Sequence, residues 1–277
     1  MTPFHSLRRF APLFALLLLA NNGCAQVQPA QTDYQPRPFQ EGKDVVWLPT
    51  PQPVVEKMLE IAKVTPKDFV IDLGSGDGRT VITAAKKFGA GAMGIEYNPD
   101  MVELSNRAAA KEGIAGKVKF MKADLFETDF SRASVITMYL LPALNVKLRP
   151  KILDLKPGTR IVSHAFDMGE WQADRIESDE GRSVYLWIVP AKVAGTWRSP
   201  QGELVLTQQF QKIEGTLKAG ERKLTISKGQ LRGDQISISA GGTEYTGRVN
   251  GSTIEGTMTG ARAGRWSASL VSTVTPR

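Results

Sequence analysis

One short stretch of the chain has the residue types and spacing of a nucleotide-binding loop. It is Val70–Gly78, with the sequence VIDLGSGDG, which leaves a predicted strand and opens a predicted helix. Its three glycines let the backbone turn sharply and approach a ligand without a clash from a Cβ atom. Arg79 stands where a dinucleotide fingerprint has its third glycine. The loop predicts a nucleotide-like ligand, and a glycine-rich turn without a ligand is the alternative.

Asp72 precedes the glycines and adds a charge argument. A carboxylate at this position repels a pyrophosphate group but favours a cationic amino-acid group. S-adenosylmethionine carries an ammonium and a sulfonium group, whereas NAD carries a pyrophosphate. The charge of Asp72 therefore favours S-adenosylmethionine as the ligand.

Two further carboxylates end the next two predicted strands. Glu96 can accept hydrogen bonds from two ribose hydroxyls, as carboxylates in nucleotide-binding sheets do. Asp124 is followed by Leu125 and Phe126, so its carboxylate can receive an adenine amino group while the apolar side chains cover the ring. The alternatives are a solvated strand end at Glu96 and a plain turn at Asp124. With the glycine loop, these residues predict an adenosine site.

Candidate acceptor-side residues follow the fourth and fifth predicted strands. Tyr139, Pro142 and Asn145 come after the fourth strand, where Tyr139 and nearby carbonyls can orient an amine. His164 ends the fifth strand, with Asp167 just beyond, and a histidine has a pKa suited to proton removal. Displacement at a sulfonium depends mostly on alignment and desolvation, so no strong base is needed. The alternative is that Tyr139 only packs at its strand end and that His164 is structural.

A sheet is needed to bring these residues together. Apolar runs of strand length alternate with helical periods, which indicates an α/β fold with a parallel, doubly wound sheet. The predicted strands are Phe69–Leu73, Ala92–Tyr97, Val118–Ala123, Ser134–Leu140 and Thr159–Phe166, and two antiparallel strands, Arg175–Ser178 and Ser183–Val189, close the sheet. The predicted helices are Arg79–Phe88, Asp100–Glu112 and one after the fourth strand that breaks near Pro150. An earlier helix starts with Thr50 as N-cap and proline in its first position.

The rest of the chain divides by composition into a tether and a second domain. Residues 26–44 are rich in Gln and Pro and predict a flexible tether before a domain at 45–190. Residues 191–277 lose the helical period and predict a small antiparallel β domain, either a barrel or a sandwich. This domain has a net charge of +6, while residues 26–190 have a net charge of −1. The basic charge indicates an anionic partner, such as a membrane face, or simply a basic soluble domain; no nucleic acid is expected.

The N-terminus predicts export to the periplasm or envelope. Arg8 and Arg9 precede an apolar run over Phe10–Ala20, and this run is too short to span a bilayer. Cleavage after Ala25 would leave a signal peptide of residues 1–25, and lipid attachment at Cys24 is the alternative. Cys24 is the single cysteine and there are two histidines, so a disulfide and a Cys- or His-based metal site are not expected.

Three motifs are similar to the cofactor motifs of class I S-adenosylmethionine-dependent methyltransferases: Asp72–Gly78, Glu96 to Pro99 and Asp124-Leu125. With Leu48 to Pro51 and Tyr139 to Pro142, residues 45–166 resemble the lysine methyltransferases whose mitochondrial members modify the adenine nucleotide translocase and the ATP synthase c-subunit. The resemblance implies a Rossmann-like seven-stranded sheet and methyl transfer to a protein lysine. It implies these cofactor contacts: Thr50, Asp72, Gly74, Ser75, Gly76, Gly78, Glu96, Asn98, Asp124 and Leu125.

The predicted signal peptide and the β domain depart from this family, whose known members act inside cells. Three alternatives to lysine methylation therefore stay open. They are a small-molecule methyltransferase, an exported protein that binds S-adenosylmethionine or a nucleoside without turnover, and an envelope protein whose β domain carries the function.

Overall fold

A computed structural model gives the fold, and it describes Met1 and residues 34–179 and 181–273. The predicted signal peptide, with Cys24, and the first part of the predicted tether therefore lie outside the described residues. None of the described helices is long and apolar enough to cross a membrane.

The first half of the described chain alternates helices and strands. The helices are α1 (Gln52–Ile61), α2 (Arg79–Phe88), α3 (Pro99–Lys111) and α4 (Pro142–Leu153). The strands are β1 (Phe69–Leu73), β2 (Gly91–Glu96), β3 (Val118–Lys122), β4 (Val135–Met138), β5 (Arg160–His164), β6 (Arg175–Asp179) and β7 (Arg182–Ile188).

These seven strands form one sheet in the order β3-β2-β1-β4-β5-β7-β6. The first five run parallel, and β7 pairs antiparallel with both β5 and β6. The chain moves outward from β1 to β2 and β3, then crosses back to β4 on the other side of β1. This reversal opens a crevice at the carboxyl ends of β1 and β4, where ligands of such sheets bind. The predicted seven-stranded Rossmann-like sheet is confirmed.

Strand alternation builds a core on each face of the sheet. Val70 packs with Val54, Leu59 and Val81 from α1 and α2 on one face. Ile71 and its neighbours pack on the other face with Phe130, Leu148, Trp171 and Trp187. Both faces are covered by apolar residues, which explains why β1 and β4 are apolar nearly throughout.

Two predicted helix details are wrong. Pro150 does not break α4, which continues to Leu153; the proline lies on the exposed side of the helix, near its end. Thr50 is not the N-cap of α1, because that position belongs to Pro51 and no side chain caps the helix. The hydroxyl of Thr50 is instead hydrogen bonded to His164.

The second half of the chain is a closed barrel, which decides between the predicted barrel and sandwich. Its strands are β8 (Gly195–Ser199), β9 (Gly202–Gln209), β10 (Lys212–Ala219), β11 (Arg222–Arg232), β12 (Gln235–Ala240), β13 (Thr243–Asn250), β14 (Thr253–Gly260) and β15 (Gly264–Thr273). Each strand pairs antiparallel with the next, and β15 closes the barrel on β8. Trp197, Tyr245 and Trp266 are buried in its interior among aliphatic side chains, so the interior is a packed core.

The barrel packs near the amino end of β5. The backbone N–H of Ala191 donates to the carbonyl of Gly233 at 2.8 Å, and the side chain of Gln211 donates to the carbonyl of Gln172 at 2.8 Å. The ring of Phe210 stacks on Trp171 with 6.0 Å between centroids. The carboxyl ends of β1 to β4, at the opposite edge of the sheet, are left open.

Candidate functional site

A cleft lies at the carboxyl ends of β1 to β4. The glycine loop forms its floor, and the loop is fixed by its own backbone. The N–H groups of Gly74 and Ser75 both donate to the carbonyl of Ile95, at 2.9 and 3.1 Å. Gly74, Gly76 and Gly78 have φ angles of +75°, +52° and +79°, a region that side chains with a Cβ rarely adopt. The three glycines are therefore required by the turn itself.

Glu96 ties the loop to the end of β2. Its Oε2 accepts from the N–H of Gly76 at 2.8 Å, and its Oε1 accepts from the N–H of Asn98 at 2.9 Å. The Asn98 side chain caps α3 by accepting from the N–H of Asp100 at 2.9 Å. Each oxygen of Glu96 keeps a second lone pair, and the residue lines the cleft, so it can accept from two ribose hydroxyls.

Asp72 is buried beneath the loop and still lines the cleft. Its Oδ1 accepts from the hydroxyl of Thr137 at 2.6 Å. Burial, with a contribution from the nearby charges of Asp77 and Glu96, raises the pKa of the Asp72 carboxyl to about 7, although hydrogen bonds from Thr137 and Thr80 act to lower it. A buried carboxylate without a cationic partner is costly, so this position favours a cation from a ligand.

Asp124 ends the row of carboxylates at β3. Its Oδ1 accepts from the N–H of Phe126 at 2.8 Å, and its Oδ2 is paired with Lys43. The hydrogen bond from Lys43 lowers the pKa of Asp124 below its usual range. The Lys43 ammonium also lies over the ring of Tyr97, 5.1 Å from its centroid. Leu125 lines the cleft beside Asp124, as an adenine-covering residue would.

A segment that we call the strap, residues 39–50, forms a further wall of the cleft. The N–H of Phe39 donates to the carbonyl of Trp47 at 2.8 Å, and the N–H of Trp47 donates to the carbonyl of Gln40 at 2.9 Å. Arg79 anchors its end by donating to the carbonyl of Thr50 at 2.9 Å. Residues 40–44 were part of the predicted tether, yet they line the cleft together with 45–50. In this part of the chain the predicted tether is a wall of the site.

The sequence interpretation missed Trp47, Arg79 and Lys43 as residues of the site. A Cβ at Gly76 would lie 2.5 Å from the indole Nε1 of Trp47, so this ring sits directly on the glycine loop. Arg79 also pairs with Asp77 at 2.5 Å. The available signals were a tryptophan two residues before Pro49 and an arginine in the place of the third glycine.

The donor set of the cleft fits S-adenosylmethionine. Asp72, Glu96 and Asp124 lie at the ends of three neighbouring strands and suit, in order, the cationic amino-acid part, the ribose and the adenine. Because Gly76 has no Cβ, the ring of Trp47 can lie directly on the loop. The buried Oγ of Ser75 has no hydrogen-bond partner among the described residues. Thr50, Asn98, Gly74 and Ser75 also line the cleft, whereas Gly78 packs behind it against Phe120 and Ser105.

The acceptor-side candidates separate into two groups. Tyr139 lines the cleft at the end of β4, and Pro142 is exposed at the start of α4. Asn145 and His164 are buried and do not line the cleft. The Nδ2 of Asn145 donates to the carbonyl of Asp167 at 2.9 Å, so this side chain holds the loop after β5. Catalytic roles for these four residues stay predictions.

His164 is in a poor environment for a base. Burial, with a contribution from the charge of Arg182, lowers the pKa of His164 to about 4. Its Nδ1 is hydrogen bonded to Thr50 Oγ1 at 3.1 Å. Its ring lies against Tyr139 with 4.0 Å between centroids. The imidazole is therefore neutral and only weakly basic. Its contacts with Thr50 and Tyr139 favour a structural role, in which His164 supports the strap and the Tyr139 ring.

The known proteins that this chain resembles are methyltransferases. A family model described as the ANTKMT methyltransferase domain matches residues 72–175. A protein-lysine N-methyltransferase of Saccharolobus islandicus is 42% identical over 151 residues, 52% of this chain and 94% of the relative. The lysine N-methyltransferase of the ATP synthase c-subunit from Homo sapiens is 30% identical over 166 residues, 60% of this chain and 68% of the relative. A solved structure described as an RNA methyltransferase from Salinibacter ruber, in complex with S-adenosyl-L-homocysteine, is 51% identical with a TM-score of 0.52, over 53% of this chain and 96% of that one.

Proposed function

We propose that this chain, which belongs to the ANTKMT family of S-adenosylmethionine-dependent methyltransferases, transfers a methyl group to the ε-amino group of a lysine in a protein. The observation that carries the proposal is the row of Asp72, Glu96 and Asp124 beneath and beside the glycine loop. On the other side of β1 the cleft is lined by the half-buried Tyr139, where a neutral lysine amine can lie against an aromatic ring. The names of the two curated relatives support lysine as the acceptor.

The main residues of the cleft have distinct roles in this reaction. S-adenosylmethionine, when bound, supplies the electrophilic methyl group. Asp72 attracts the cationic part of the cofactor, Glu96 accepts from the ribose, and Asp124 with Leu125 receives the adenine. Trp47 and the rest of the strap exclude water, which strengthens every charge interaction inside the cleft. Tyr139 and the carbonyls after β4 orient the amine, and this alignment is the main contribution that such a displacement requires.

RNA and a small molecule are the competing acceptors. The relative with a solved structure is described as an RNA methyltransferase, and the sequence leaves a small molecule open. We favour a protein because the exposed side chains that line the cleft include the apolar Val46, Leu48 and Tyr97. The exposed Glu41 and Asp44 line it as well and add negative charge beside Lys43. An anionic RNA backbone would gain nothing from these residues.

The acceptor is tested with labelled cofactor. S-adenosylmethionine with a tritiated methyl group is incubated with the protein and with total cell protein, total RNA or a small-molecule extract of the source organism. We expect label in the protein fraction, and mass spectrometry of a digest should find methyl-lysine. Glu96→Gln, which weakens the cofactor site, is the control. Label in RNA or in a small molecule would overturn the lysine proposal, and no cofactor binding by calorimetry would overturn the enzyme itself.

We further propose that the protein works outside the cytoplasm and that its barrel contacts an anionic surface. Arg8, Arg9 and the apolar run after them support export. The exposed basic side chains of the barrel, among them Arg222, Lys223 and Lys228, support the surface contact. The mass of the mature N-terminus distinguishes cleavage after Ala25 from lipid on Cys24, and an intact N-terminus in the cytosol contradicts export. A protein that does not sediment with anionic vesicles at low salt would contradict the surface contact.

A further inference from the structure

The strand order of the sheet separates the side of the cleft that holds the cofactor nucleoside from the side that the acceptor enters. Glu96 at β2 and Asp124 at β3 lie on one side of β1, and β4 and β5 lie on the other. A nucleoside held by Glu96 and Asp124 leaves the reactive end of the cofactor near β1. The acceptor must then come from the side of β4 and β5. Two aromatic side chains stand there, Tyr139 after β4 and Phe166 after β5.

These two rings form one surface. Tyr139 and Phe166 stack with 6.0 Å between centroids and an angle of 18° between planes. Tyr139 also lies against His164, with 4.0 Å between the ring centroids. Both rings are half-buried; Tyr139 lines the cleft, and Phe166 extends the aromatic surface from Tyr139 to just outside the residues that line the cleft.

The backbone that presents Phe166 is strained. The N–H of Phe166 donates to the carbonyl of His164 at 2.8 Å, which closes a γ-turn around Ala165. Ala165 has a φ of +65°, a conformation that costs free energy for any residue with a Cβ. Such strain persists only where the surroundings enforce it, and it concentrates at functional positions.

Two neighbours enforce the turn. The N–H of Ala165 donates to the carbonyl of Ser183 at 2.7 Å. The buried Asn145 donates from its Nδ2 to the carbonyls of Phe166 and Asp167, at 3.3 and 2.9 Å. Asn145 therefore uses a buried polar side chain to fix the part of the loop that holds Phe166 against Tyr139.

The chemistry of this surface suits a lysine that is being methylated. Aromatic faces pack along the apolar stem of lysine and keep water away from the amine. They also attract alkylammonium groups through cation–π interactions, and a methylated lysine carries such a group. The exposed Asp167 beside Phe166 adds a negative charge that attracts an approaching lysine.

We propose that Phe166 forms with Tyr139 an aromatic wall that binds the amine-bearing end of the acceptor lysine, and that Asn145 and Ala165 are positioning residues for Phe166. The assignment of lysine rests on the proposed function above. The wall itself rests on the contacts of Tyr139, Phe166, Ala165 and Asn145.

The wall is tested by direct binding and by turnover. The probe is the capped amino acid N-acetyl-Nε-trimethyllysine methylamide, titrated into the complex of the full protein with S-adenosylhomocysteine and followed by saturation-transfer NMR. We expect Phe166→Leu, which keeps an apolar side chain but removes the ring, to weaken probe binding about fivefold, as for a lost cation–π contact. Phe166→Tyr should restore it. The rate of methyl-lysine formation in total cell protein should fall with Phe166→Leu while the affinity for S-adenosylhomocysteine stays the same.

Phe210→Leu is the matched control. Phe210 stacks on Trp171 at the same 6.0 Å, but it lies between β9 and β10 of the barrel, and its ring partner is Trp171 rather than Tyr139. It should change neither probe binding nor turnover. Asn145→Leu, which removes both hydrogen bonds to the loop, should weaken probe binding as Phe166→Leu does.

Three results are separable. Probe affinity and turnover that are equal in wild type and Phe166→Leu would overturn the wall, as would a wild-type complex that does not bind the probe. A folded Asn145→Leu that binds the probe like wild type would overturn the positioning role. Normal probe binding with no methyl-lysine in cell protein would leave the wall standing and refute the proposed acceptor.

Discussion

Thr50 and His164 lie 114 positions apart in the sequence and share a buried hydrogen bond of 3.1 Å between Oγ1 and Nδ1. The bond joins the end of the strap to the end of β5. Nearer the other end of the strap, Lys43 is paired with Asp124 beyond β3. These two contacts fix the strap on both sides of the cleft.

Thr50→Val should destabilise the protein by about 1–3 kcal/mol, because it leaves a buried ring nitrogen of His164 without a partner. Thr50→Ser keeps the hydroxyl and is the matched control. Urea unfolding measures the free energy of unfolding of both. Equal values for the valine and serine variants would show that the hydrogen bond contributes nothing.

His164→Asn should change how stability depends on pH. The pKa of His164 is about 4 in the folded protein and about 6.5 in an unfolded chain, so the unfolded state takes up the proton first as pH falls. The wild type therefore loses stability between pH about 6.5 and about 4 from this group, by a few kcal/mol. The variant should lack this loss in denaturant unfolding across that range. A wild-type slope that survives in the variant would refute the assignment.

Asp72→Asn should have the opposite effect on the pH dependence of stability. Burial raises the pKa of Asp72 to about 7, above its value of about 3.8 in an unfolded chain. The folded state then holds a proton that the unfolded state has lost, and stability falls as pH rises through that window. The variant should lose this decline. Measurement of each single variant is required, because the effects of Asp72 and His164 oppose each other in the wild type.

Asp72→Asn should also weaken the binding of the cofactor by about 1–3 kcal/mol, since a charged hydrogen-bond partner is lost. For the wild type, affinity for S-adenosylmethionine should rise with pH through about 7, because the cationic ligand binds the charged form of Asp72. Calorimetry in buffers of different ionisation enthalpy should find proton release on binding. Equal pH profiles for Asp72→Asn and the wild type would contradict the placement of the cation.

Gly76→Ala should abolish most cofactor binding. The alanine would have to adopt a backbone φ of +52°, and its Cβ would lie 2.5 Å from Trp47 Nε1. Both the loop and the strap must therefore shift. Gly113→Ala is the control, since Gly113 has a φ of +70° but nothing within 4 Å of its Cβ position. The control should cost only the backbone strain, about 1–2 kcal/mol of stability, with unchanged cofactor affinity. Normal calorimetric binding by Gly76→Ala would show that the strap does not rest on the loop.

Trp197→Ala should destabilise the barrel without changing the cofactor site. Trp197 is fully buried and donates from Nε1 to the carbonyl of Val193 at 2.8 Å. Loss of such a side chain costs about 3–5 kcal/mol. In the described part of the chain, the residues that line the cleft all precede the barrel. Thermal unfolding should move down while calorimetric affinity for S-adenosylhomocysteine stays constant, and a parallel loss of affinity would refute this independence.

Local sequence was enough to predict the loop, Glu96 and Asp124, because each stands at a fixed distance from a strand or helix that its own neighbours specify. The sheet followed from the alternation of these elements. Contacts between distant segments could not be predicted in this way. Trp47 meets Gly76, and Lys43 meets Asp124, only after the whole sheet has formed.

Composition was misleading where tertiary contacts decide the structure. Polar residues such as those at 40–44 predict a tether unless a partner surface is known. The choice between a barrel and a sandwich depends on whether β8 pairs with β15, about seventy residues later, and no local pattern specifies that pairing. Asn145 gave no sign of its role, because the carbonyls that it holds lie in a different loop.

The N–H of Gly76 donates to Glu96, and the N–H groups of Gly74 and Ser75 donate to Ile95, so protein groups hold the loop in its turn. The loop is thus preorganised, and its conformational entropy is already lost when the chain folds. A cofactor that enters this cleft should then be recognised without backbone rearrangement around the glycines. Its association should be fast, and differences in affinity among related ligands should come mainly from their rates of dissociation.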